Sequence, residues 1–243
     1  MTPSLPRALL SGLALALAVG GCAAQTGSPD GDVASADLLS RSVDYNNVLS
    51  DEQLTGDADV TAAHVQAFLE GHGSYLATYR DSGSRQSAAQ LIVASSQTHG
   101  VSAVYLLARI QVESSLIESG TARSLAAATG CACPDGAACA RANKGFAAQV
   151  DCAAATIAAY LNELDTQGET RSAIKVGSAN RTHSLDGCKL APKNRATAAL
   201  YTYTPWVGIY GAGCGSRTTL GTTFLAKQYA TYKASPALAT TSL

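Results

Sequence analysis

The sequence predicts a mainly α-helical domain whose loops are stapled by disulfides. Three observations carry that reading: apolar residues from Asp57 onward recur at spacings of three and four, cap residues bracket each run, and cysteines gather in glycine-rich loops. The period-two alternation that signals strands is weak.

Taken in order, Thr61 can cap a helix carrying Val65, Phe68 and Leu69, with Gly71 or Gly73 to end it. Ser87 to Thr98 puts Ala88, Leu91, Ile92 and Ser95 on one face, and Gly100 follows. Ser102 opens a helix running to about Ile117. Phe146 to Leu164 has apolar residues at 146, 150, 153, 157, 161 and 164. Pro192 suits the start of a helix from Lys193 to Tyr201, and a last helix, Gly221 to Tyr232, stops before Pro236. Loops at Thr129–Ala138 and Gly211–Gly215 lie between them, and there is no internal repeat.

Composition supports one globular domain. With 47% apolar and 14% charged residues the chain can bury a core. We place that domain at residues 57–235, with a short tail at 236–243. Residues 22–56 read as a flexible linker, rich in Gly, Ser and Asp around Gly27-Ser28-Pro29-Asp30-Gly31, with a short helix possible around Leu38. A coil of that length spans roughly 30–35 Å. The formal net charge of −1 gives no electrostatic case for nucleic acid, which is not an expected partner.

Arg7 is the only charged side chain among residues 1–21, and it precedes an apolar run from Ala8 to Val19. That run is too short to cross a hydrocarbon core of roughly 30 Å and reads as the apolar region of a secretory signal. Val19-Gly20-Gly21-Cys22 resembles the lipobox of bacterial lipoproteins. The resemblance implies cleavage before Cys22, a lipid on that cysteine, and a protein outside the cytoplasm, anchored to a bacterial membrane. An ordinary signal peptide cut after Ala24 is the alternative. With Cys22 assigned to lipid, an even six cysteines remain: Cys131, Cys133, Cys139, Cys152, Cys188 and Cys214. Disulfides are expected in an oxidising compartment, and six cysteines allow 15 pairings. We expect Cys188 with Cys214 and a local cluster of the other four. A zinc site on Cys131, Cys133 and Cys139 lacks a Cys-x-x-Cys pair or a nearby histidine, so no metal is expected.

Glu113 is the candidate for chemistry. Leu106, Leu107, Ile110 and Ile117 form the stripe of its helix, and Glu113 lies three after Ile110 and four before Ile117. An unpaired carboxylate in such a stripe has a raised pKa and can serve as a general acid. The competing reading solvates Glu113 or pairs it with Arg109, four residues earlier.

The segment Leu106-Leu107-Ala108-Arg109-Ile110-Gln111-Val112-Glu113-Ser114 resembles the Glu-Ser helix of lysozyme-like lytic transglycosylases. It is more similar to a group of exported lysozyme-like proteins of actinobacteria and related bacteria. In those a Leu-Leu-x-x-Leu-Gln-x-Glu segment is followed by Cys-Pro-Asp and then Leu-Tyr-x-Tyr-Thr-Pro. Here the order is Glu113, Cys133-Pro134-Asp135, then Leu200-Tyr201-Thr202-Tyr203-Thr204-Pro205, with Gly145 to Gln149 similar to the Gly-x-x-Gln element, one residue longer. The resemblance covers about Val60 to Tyr232 and implies a lysozyme-like helical domain acting on peptidoglycan or a related glycan without cofactor; we expect a monomer. It implies Glu113 as acid and then base, Gln149 lining the cleft, and Tyr201 or Tyr203, rather Tyr203, positioning substrate. The chain has neither Gly-Leu-Met-Gln nor Ala-Tyr-Asn-x-Gly, two departures from the transglycosylase pattern.

Asp135, 22 residues beyond Glu113, is the candidate second carboxylate, although Pro134-Asp135-Gly136 is also an ordinary turn. A lone acid suits attack by the sugar's own hydroxyl, giving a 1,6-anhydro product. The rival from another class is a lysozyme-like envelope lipoprotein that binds glycan or protein without cutting it.

Overall fold

The computed structural model describes residues 42–133, 139, 141–177, 184–185, 187–211, 214 and 220–240. Cys22, Leu38 and Asp135 lie outside them. The described residues form seven α-helices: α1 (Asp51–Thr55), α2 (Ala62–Gly71), α3 (Ala88–His99), α4 (Ala103–Ser114), α5 (Phe146–Gln167), α6 (Arg195–Tyr203) and α7 (Gly221–Lys233). The one ribbon among them pairs Ser184–Leu185 antiparallel with Cys188–Lys189, with Leu185 opposite Cys188.

Cap chemistry sets the boundaries. Thr61 and Ser87 each close a capping box, with His64 and Gln90 respectively, and Gly100 ends α3 in the left-handed conformation. Asn194 accepts from Thr197 N at 2.8 Å, so α6 begins two residues later than the sequence suggested. Ser115, at φ 55°, ends α4 three residues short of Ile117.

At the centre, α4 is buried on every face from Ala103 to Gln111. It packs on α7 and α5, while α3 lies along α5 and α2 covers α3. Continuous burial of Val104, Tyr105, Leu106, Leu107 and Ile110 makes α4 the axis of the core.

Two boundaries need correction. Residues 42–56, expected in the linker, pack on the domain: Val48, Leu49 and Leu54 are buried, and Lys193 N donates to Asn46 O at 2.7 Å. The tail is tied down as well, since Leu238 in the Pro236–Leu238 turn is completely buried.

All six downstream cysteines are oxidised: Cys188 with Cys214 as expected, and the cluster as Cys131–Cys152 and Cys133–Cys139. The first of these ties the loop after residue 128 to α5.

Candidate functional site

The site forms where α4 leaves the core. Arg109 is completely buried and directs Nη1 to Glu113 Oε1 at 2.7 Å and to Thr204 Oγ1 at 2.8 Å. Its Nε and Nη2 make no hydrogen bond among the described residues. The guanidinium carbon instead lies 4.4 Å from the centroid of the Tyr203 ring and 5.7 Å from that of Tyr105. Burial opposes the Arg109 charge, but Tyr105, Glu113 and Tyr203 outweigh it and raise the pKa, so the cation persists at any working pH.

Glu113 is not on a buried stripe. Ile110 and Ile117 are both buried, but α4 ends at Ser114, so the three-and-four spacing breaks before Ile117. Glu113 instead stands at the helix end with 28% of its side chain open to solvent and Oε1 held by Arg109. The competing reading, pairing with Arg109, is the one observed. Among the described residues no hydrogen bond reaches Oε2. That oxygen rests against Gly130, where a Cβ would fall only 2.8 Å away, at a backbone φ of +69°. Ser114 Oγ donates to Ile110 O and to Ala128 O, fixing the loop that carries Gly130.

Beyond Gly130 opens a cleft of about 410 Å³ lined by Ala132, Asn143, Tyr160, Arg171, Tyr203 and the Cys131–Cys152 disulfide. Tyr203 donates to Thr129 O at 3.1 Å, and burial pushes its pKa up. At the far end, the Arg171 guanidinium caps the Tyr160 ring at 5.1 Å and pairs with Glu163, which holds that carboxylate below its usual range.

The other expected residues part ways. Tyr201 is completely buried in the core, so of the two tyrosines only Tyr203 reaches the cleft. Gln149 does not line the cleft: it is fully buried and holds the loop from behind. Its Nε2 donates to Cys131 O at 2.8 Å and Asn143 O at 2.6 Å, while Oε1 accepts from Thr129 N at 3.2 Å. An amide is needed there because the loop offers both carbonyls and an N–H. Arg109 and Gly130 were not predicted as site residues. Arg109 had one visible signal, a charge four residues before Glu113 inside an apolar run. Gly130 had none beyond its place in a glycine-bearing loop.

No protein-family model, no curated protein and no solved structure matches this chain.

Proposed function

We propose that this chain is an extracytoplasmic lipoprotein that cleaves glycan strands of peptidoglycan, with Glu113 as its single acid and base. The observation that carries this reading is the division of labour on one carboxylate. A buried arginine anchors Oε1, and Oε2 rests against Gly130, one of the residues that line the cleft. Anchoring one oxygen fixes the direction of the other, which general acid catalysis requires.

In the reaction, Glu113 must first take a proton from solvent onto Oε2. Oε2 then gives it to the bridging oxygen as the C1–O bond breaks, leaving an oxocarbenium-like sugar. Arg109 stabilises the carboxylate so formed. The sugar's C6 hydroxyl then attacks C1, and its proton returns to Oε2, closing a 1,6-anhydro ring. Water in place of that hydroxyl gives hydrolysis. No carboxylate is among the described residues that line the cleft, and Glu113 meets it only through Gly130; a single acid without a second carboxylate favours the intramolecular route. Tyr203 offers a ring edge to the sugar while its hydroxyl stays on Thr129. Three disulfides suit the oxidising location implied by the sequence before Cys22.

The test is product analysis by mass spectrometry after incubating the mature protein with purified peptidoglycan. Anhydro-muropeptides support transglycosylation, and products heavier by one water mean hydrolysis. The pairing of Glu113 with Arg109 favours a second reading, a cleft that binds glycan without cutting it. Binding to the polymer with nothing released decides for that one.

A further inference from the structure

The chain's single tryptophan, Trp206, is half exposed, and it is not alone. Five large apolar side chains are exposed among the described residues, and Trp206, Ile209 and Leu220 are three of them. They rise from two backbone segments in direct contact. Thr222 N donates to Trp206 O at 2.8 Å and Thr223 N to Val207 O at 3.0 Å. A Cβ on Gly208 would fall 1.9 Å from Leu220 O, so only glycine permits this approach. The mount is rigid: Val207 is completely buried, and the Tyr210 and Phe224 rings stack at 6.1 Å. A rigid mount that holds an indole and two aliphatic side chains in water marks a contact surface.

The position of the patch indicates the partner. Val43 N donates to Tyr210 O at 2.8 Å, so the chain arriving from the N-terminal side joins the domain next to Ile209. By sequence, residues 23–41 read as linker, and a coil of that length spans roughly 25 Å. A lipid on Cys22 would therefore hold this face of the domain close to the bilayer.

We propose that Trp206, Ile209 and Leu220 form a membrane-contact surface that lays the domain against the bilayer carrying the Cys22 lipid. This rests on the lipid-anchor part of the proposed function and not on the chemistry of Glu113. Indole rings partition to the headgroup level, and aliphatic side chains enter the acyl boundary beside them. A sugar platform would use the flat ring and gain nothing from Ile209 or Leu220. Charge is not the attraction: without residues 1–21, which carry only Arg7, the formal charge moves from −1 to −2, so contact is insensitive to salt.

Because Trp206 is the only tryptophan, its fluorescence reports this surface alone. The lipidated mature protein is reconstituted into vesicles of phosphatidylethanolamine and phosphatidylglycerol with acyl chains brominated near the headgroup. Mass spectrometry first establishes the lipid. Blue-shifted Trp206 emission, quenched by bromine and unchanged by added salt, is expected. The double variant Ile209→Ser/Leu220→Ser, confirmed folded by circular dichroism, should lose that quenching while staying on the vesicle through its lipid. The unlipidated chain, Cys22→Ser, should retain weak vesicle binding that the double substitution lowers by at least about tenfold. Red, unquenched emission from the vesicle-held protein overturns the proposal. Shielding that needs added glycan fragments overturns it too, and makes the patch a sugar contact. The outcome is separable from Glu113: Glu113→Gln leaves quenching intact, and the patch variant leaves cleavage of soluble glycan intact.

Discussion

Arg109 and Glu113 form an ion pair of unequal partners, 2.7 Å apart, with the arginine side chain 1% exposed and the glutamate side chain 28% exposed. The cation is fixed in the core by Thr204 and two tyrosine rings, and the carboxylate is thereby fixed in space. A double-mutant cycle tests this directly. Arg109→Met should destabilise the domain by about 2–4 kcal/mol by urea denaturation, since it strips a buried network of its centre. Combining it with Glu113→Gln should cost at least about 1 kcal/mol less than the sum of the two single changes. Strict additivity would mean that the pair does not couple.

Gln149 acts through the loop rather than on substrate. Gln149→Ala leaves Cys131 O, Asn143 O and Thr129 N without their partner and should cost about 2–4 kcal/mol. Gln149→Glu should be no better, because a carboxylate cannot donate to two carbonyls. A Gln149→Glu protein of unchanged melting temperature that loses only substrate affinity would instead restore the cleft-lining role.

Gly130→Ala probes the same loop from the front. Left-handed φ costs a non-glycine residue about 1–2 kcal/mol, and the new methyl pushes on Oε2. The expected result is a kcat lowered roughly 10–100-fold with glycan binding little changed. Equal loss of binding and turnover would place the substrate elsewhere.

Acid stability should reflect the pair at the cleft's far end. Arg171 lowers the folded-state pKa of Glu163, so its contribution is fully present above the ordinary carboxylate pKa and fades as pH falls through the lowered value. Glu163→Gln should therefore flatten the loss of stability below about pH 4.5 and leave the slope near neutrality unchanged. An unchanged acid limb would contradict this.

Much of the fold was legible in the sequence, because its helices announce their ends: Thr61, Ser87, Ser102 and Gly100 cap as read. The Cys188–Cys214 bridge was expected as well. The site was harder to read for a specific reason. Periodicity assumes a helix continues, and the left-handed Ser115 ended α4 before the stripe reached Ile117. Glu113 thus changed from a buried acid to a tethered one. Gln149 and the docked residues 42–56 were misplaced because tertiary contacts decide them: a carbonyl pair for the amide, and burial in the core for Leu49 and Leu54. No local pattern encodes either.

The central claim turns on one measurement: muropeptide products released from purified peptidoglycan by wild-type protein and by Glu113→Gln of comparable circular dichroism. Wild type should release anhydro-muropeptides, and the variant should be slower by roughly 10²–10⁴-fold while still binding the polymer. Undiminished release by Glu113→Gln, or a wild type that binds and releases nothing across pH and salt, would contradict Glu113 as the acid of a glycan-cleaving site.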